Sequence, residues 1–162
     1  MKYLITESQY RLLNEETEEI LELSFKMFNN DWNFLQEYLN MLGNPPYKII
    51  GNLDLAWYNV KSLGRLMSVD GYLNLYNTNI ESLGNLESVG GYLYLYGVNI
   101  TSLGNLKSVG GDLELAKTNI TSLGNLKYVG GDLDLTNTPL SLKTITEDEI
   151  ISQVKVGGKI RL

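Results

Sequence analysis

The chain contains no histidine and no cysteine. The first absence removes the commonest general base and the commonest metal ligand. The second removes thiol nucleophiles, disulfides and most zinc, haem and iron–sulfur sites. A chain without disulfides suits a reducing compartment. No apolar run approaches the roughly 18–20 residues that span a bilayer. The opening "MKYLITESQ" turns polar before a signal-peptide core can form. These features lead to the expectation of a cytoplasmic protein with no membrane partner. Basic side chains are also scarce, 13 against 19 acidic ones, for a net charge of −6. With no basic stripe to follow a phosphate backbone, nucleic acid is not expected as a partner.

What the chain has in abundance is repetition. In rows of twenty from Gly51 it reads GNLDLAWYNVKSLGRLMSVD, GYLNLYNTNIESLGNLESVG, GYLYLYGVNITSLGNLKSVG and GDLELAKTNITSLGNLKYVG. A fifth row, GDLDLTNTPLSLKTITEDEI, keeps the pattern to Leu140 and then drifts. A fixed period of this length marks a repeat solenoid, in which each coil buries its apolar face against its neighbours. Leucines at row positions 3 and 5 alternate with polar or aromatic residues, the period-two pattern of a strand with one buried face. Apolar residues at positions 10, 13, 16 and 19, such as Ile100, Leu103, Leu106 and Val109, recur every third residue. That spacing predicts a polyproline-like or 3-10 return path rather than an α-helix. The fold expected is a solenoid with a parallel β-sheet on one face, and Gly-Gly pairs at its corners.

The three parts expected are a helical N-terminal cap over residues 1–46, five repeats over 47–140 and a C-terminal cap over 141–162, in one structural unit. Caps are needed because an open solenoid end exposes core and unpaired strand edge. In the first cap, Thr6 with Gln9 fits a capping box opening a helix through "YRLLNEETEEILELSFKMF". Asp31 is placed to cap a second helix, "WNFLQEYLNML", with Leu35, Tyr38, Leu39 and Leu42 on one face, and Gly43, Pro45 and Pro46 end it. In the last cap, Thr146 is placed to start a short helix through "EDEIISQ". "VKVGGKIRL" then reads as a β-hairpin around Gly157-Gly158, with Val154, Val156, Ile160 and Leu162 on one face.

The row pattern "GxLxLxxTxIxSLGNLxxVG" resembles a short leucine-rich repeat, written L-x-x-L-x-L-x-x-N-x-L, with Leu113, Leu115 and Ile120 on its second, third and fourth apolar slots. It is atypical. The slot of the inward Asn holds Tyr58, Thr78, Val98, Thr118 and Thr138, and Thr hydroxyls are expected to take over part of the Asn role. The first apolar slot holds Asp70, Gly90, Gly110 and Gly130. Separately, "KYLITESQYRLL" is similar to the openings of uncharacterised proteins from large tailed phages and marine viral sequences, which implies a viral protein in the host cytoplasm.

Stacking brings like row positions into columns, and positions 2, 4 and 6 point outward. They place Tyr72, Tyr76, Tyr92, Tyr94 and Tyr96 in one patch beside the carboxylates Asp112, Glu114, Asp132 and Asp134. Tyrosine offers large contact area at low entropic cost, and like charges in adjacent columns call for a cationic neighbour. The function expected is a non-catalytic binding module that docks a protein with a basic or mixed apolar/basic surface. The alternatives are carbohydrate binding and self-association through the tyrosines. "GGDLDL" superficially resembles a calcium-binding nonapeptide but has Leu133 and Leu135 where that motif needs Gly and Asp, so no metal and no cofactor are expected. Paired carboxylates on an open face lack the enclosure that tunes an acid for catalysis, so no catalytic residue is assigned. Asn99 and Asn119 match the N-glycosylation pattern, but Asn also occupies that row position at Asn59 and Asn79, where turn chemistry explains it.

Overall fold

A computed structural model describes residues 19–143 and 145–162. The chain is a parallel β-solenoid with two sheets. In chain order the strands are β1 (Leu21–Leu23), β2 (Tyr47–Ile49), β3 (Leu53–Asp54), β4 (Leu66–Val69), β5 (Leu73–Asn74) and β6 (Ser88–Val89). They continue as β7 (Leu93–Tyr94), β8 (Ser108–Val109), β9 (Leu113–Glu114), β10 (Tyr128–Val129), β11 (Leu133–Asp134), β12 (Lys155–Val156) and β13 (Ile160–Arg161). One sheet runs β3-β5-β7-β9-β11-β13, and the other β1-β2-β4-β6-β8-β10-β12. The first is the expected strand face. The second is built at row positions 18 and 19, part of the path that sequence spacing assigns to an irregular return.

Both sheets follow from exact repetition. Leu53, Leu73, Leu93, Leu113 and Leu133 occupy one register position in successive coils and are fully buried. Burying one such leucine is worth about 1.5–3 kcal/mol. Position 19 behaves alike, with Val69, Val89, Val109 and Val129 in register and buried. The remaining return-path apolar residues, such as Ile100, Leu103 and Leu106, close the core from the third side. At the Gly-Gly corners the constraint is space rather than left-handed backbone: a Cβ on Gly110 would fall on the Gly90 carbonyl oxygen, and one on Gly130 on that of Gly110. The glycine of each "SLG" has the other role, with Gly104 at φ +56°.

Thr78, Thr118 and Thr138 are buried, and each hydroxyl donates to the carbonyl three residues earlier, as Thr118 does to Leu115 at 2.7 Å. They serve their own coil and do not bridge coils. Bridging falls to exposed asparagines: Asn79 donates to Asn59 at 2.9 Å and Asn119 to Asn99 at 2.5 Å. Tyr58 departs from the buried column, its hydroxyl donating outward to the Asn30 carbonyl.

The ends differ from expectation. Thr6 and Gln9, with their capping box, lie outside the described residues. The described end of that segment is not helical: "LEL" forms β1, paired with β2, and a 3-10 turn follows at Phe25–Phe28. Alternation decides this, since Leu23 is buried while Glu22 faces out to Lys48 at 2.7 Å. The second helix forms as α1 (Trp32–Met41), with the Asp31 carboxylate accepting from the Asn33 and Phe34 N–H groups. Leu35 and Leu39 are buried with Trp32, whereas Leu42 is exposed.

At the other end, Thr138 caps the short α2 (Pro139–Leu142), and Thr146 forms a capping box with Glu149 on α3 (Glu147–Ile151). "VKVGGKIRL" is not a hairpin. β12 joins β10 and β13 joins β11, both parallel, in different sheets. This segment is one more coil, with Gly157-Gly158 as its corner. Its likeness to "KYVGGDLDL" was readable, but the helical insertion between them breaks the period of twenty. Val154 is buried, Val156 and Ile160 are half-buried, and Leu162 is exposed.

Candidate functional site

On the first sheet, the polar residues in columns 2 and 4 serve the backbone. Position 4 turns back on its own coil: Asp54, Asn74, Glu114 and Asp134 accept from the N–H groups of Ala56, Tyr76, Ala116 and Thr136 at 2.8–3.1 Å. Position 2 reaches the next coil: Asn52, Asp112 and Asp132 accept from the N–H groups of Tyr72, Asp132 and Lys159. Tyr72, Tyr92 and Tyr94 occupy these columns without a short acceptor and cannot do this.

The five tyrosines divide into groups. In column 6, Tyr76 and Tyr96 stack with ring centroids 5.4 Å apart and planes 25° apart. Trp57 packs edge-on to Tyr76 at 5.2 Å, and the Lys117 ammonium lies 5.1 Å from the Tyr96 centroid. The neighbouring Tyr96 phenol is the main cause of an upward shift in the Lys117 pKa. Tyr92 and Tyr94 meet at 6.0 Å and remain exposed, at 46% and 37%. Tyr72 instead lines a pocket of about 490 Å³ between the 3-10 turn and β3.

Trp57 and Lys117 escape a reading of columns 2, 4 and 6 because they sit at position 7. Every coil takes positive φ there: Trp57 67°, Asn77 51°, Gly97 72°, Lys117 57° and Asn137 58°. Asn and Gly suit this geometry, whereas a bulky aromatic is an outlier. Trp57 is nonetheless 71% exposed. A tryptophan in a slot that otherwise reads Asn, Gly or Lys is the signal in the sequence.

The acidic field does not stand unpaired. The last coil puts Lys159 and Arg161 in the same columns as the carboxylates. Arg161 lies 2.7 Å from Asp132 and 3.7 Å from Asp134. Asp132 is held below the usual carboxylate range, chiefly by the Lys159 N–H and then by the neighbouring cations. These cations enter the columns because the segment expected to be a hairpin adds a sixth coil to the sheet. Glu114 behaves oppositely: partial burial raises its pKa, with Asp134 adding to the rise, against the Ala116 N–H and Arg161. Asp112 stays exposed.

Between columns 4 and 6 runs a groove of about 300 Å³ lined by Asn74, Tyr76, Tyr94, Tyr96 and Glu114. Among the described residues no group of three or more acidic side chains is arranged to hold a metal ion, and no helix is long and apolar enough to cross a membrane. The chain matches no known protein family, curated protein or solved structure.

Proposed function

We propose that this protein is a non-catalytic binding module that docks another protein on its aromatic strand face. The carrying observation is that Trp57 and Tyr94 stand in slots where other coils place residues that serve the fold. Trp57 takes left-handed backbone that Asn and Gly adopt more easily, and Tyr94 gives up the backbone hydrogen bond of its column. Large exposed aromatics set at a cost to the scaffold are the composition of an interaction hot spot. The leucine-rich-repeat likeness of the rows points the same way, to use of the strand face.

Protein is favoured over carbohydrate by ring orientation. Sugar stacking needs outward ring faces, and those of Tyr76 and Tyr96 are turned to each other. The contact residues are then Trp57, Tyr92 and Tyr94, flanked by Asp112 and Glu114. Asp132 and Asp134 contribute less because Arg161 already pairs with them and offsets part of their charge.

The test is affinity capture with wild type and with Trp57→Asn/Tyr92→Ser/Tyr94→Ser. Specific proteins held by wild type should be lost from the variant while its circular dichroism is unchanged. Recovery of the same proteins by both would remove the interface.

A further inference from the structure

The groove between columns 4 and 6 has a direction and a polarity. Asn74, Tyr94 and Glu114 share one register position in successive coils, so one wall runs from an amide past a phenol to a carboxylate. With strands about 4.8 Å apart, amide and carboxylate are separated by about 10 Å along the solenoid axis. The opposite wall is the stacked pair Tyr76 and Tyr96. A slot of this form suits one long side chain laid along the axis, apolar along its stem and cationic at its tip.

Resting on the binding reading above, we propose that this groove takes an arginine side chain from a basic segment of the partner, its guanidinium on Glu114 and its stem against Tyr94. Glu114 uses Oε1 for the Ala116 N–H, which leaves Oε2 for a ligand. Arg161, the nearby cation, has its guanidinium on Asp132 and Asp134. The protein's own side chains show the two contacts required: Arg161 reaches carboxylates of this sheet, and Lys117 rests over Tyr96. A flat guanidinium can donate in its plane to Oε2 while its face lies against a phenol ring, a geometry that a lysine ammonium does not share. A half-desolvated carboxylate also gains more from an arriving cation than one in open water does.

The experiment titrates the full chain with acetyl-Gly-Arg-Gly-amide, followed by amide chemical shifts, against the same peptide carrying citrulline, which keeps the shape and removes the charge. The arginine peptide should move the Tyr94 and Ala116 amides, and binding should weaken about tenfold with citrulline or in Glu114→Gln. Glu81→Gln, on the return path, should bind as wild type does. Equal binding of the two peptides, an unaffected Glu114→Gln, or shifts confined to other residues would overturn the proposal. The binding reading fails separately. Arginine-peptide binding that depends on Glu114, with partner capture indifferent to Trp57, Tyr92 and Tyr94, would leave the groove and remove the interface. Capture that needs those aromatics but ignores Glu114 would do the reverse.

Discussion

Arg161 lies 2.7 Å from Asp132 and 3.7 Å from Asp134, so a cation near the end of the chain closes the acidic end of a surface begun by earlier coils. The relationship depends on β13 adding to β11, and it offsets part of the negative charge of Asp132 and Asp134. It also ties the last coil to the sheet through side chains as well as backbone.

Removing this cation should show a defined pH signature. The folded-state pKa of Asp132 is depressed, so its ionised form contributes stability above the unfolded carboxylate range, and that contribution is lost as pH falls through the folded value. Arg161→Gln should therefore melt below wild type at neutral pH, by an amount that shrinks in high salt. The two melting curves should converge in acid, once pH has fallen below the depressed folded value and the carboxylate is protonated in both. A difference that persists there would mean that Arg161 acts through packing.

Glu114 should behave with the opposite sign. Its folded pKa is raised, so the charged form is disfavoured in the fold, and stability increases as pH falls through that value. Glu114→Gln keeps an oxygen for the Ala116 N–H and removes the charge. It should melt above wild type at neutral pH, and the gain should vanish in acid. Thermal melts across pH decide this, and a variant less stable at neutral pH would contradict it.

Two glycines separate close approach from backbone conformation. Gly104 has φ +56° and open space around it, so Gly104→Ala should cost about 1–2 kcal/mol for left-handed backbone alone. Gly110→Ala places a methyl on the Gly90 carbonyl and forces two coils apart, at or above the upper end of the about 1–3 kcal/mol typical of overpacking. Urea denaturation of both variants gives the order, and a milder Gly110→Ala would show that the corner can yield.

Trp57→Asn sets two terms against each other. Relief of left-handed strain returns about 1–2 kcal/mol, while the lost edge contact with Tyr76 costs about 0.5–1.5 kcal/mol. The net change in stability should therefore lie between a loss of about 0.5 and a gain of about 1.5 kcal/mol. Partner capture should fall all the same. A variant that is strongly destabilised would make Trp57 part of the scaffold rather than of the interface.

The period of twenty was enough to establish the coil, because burial at positions 3, 5, 10, 13, 16 and 19 repeats locally and Leu, Ile and Val mark it directly. Columns 2, 4 and 6 followed by counting, and with them the tyrosines and carboxylates. Three things required the folded chain. The second sheet depends on bonds between coils, such as that from the Lys127 N–H to the Lys107 carbonyl, at a place where spacing by three hides strand pairing. The last coil joins across an inserted pair of helices, with the Lys155 N–H donating to the Lys127 carbonyl, so its register is not periodic in the sequence. The faces that the aromatics present depend on how neighbouring rings pack, which leaves Tyr92 and Tyr94 exposed and turns Tyr76 and Tyr96 upon each other. Local pattern sets which side of the strand a residue occupies; contact between coils decides what remains open on that side.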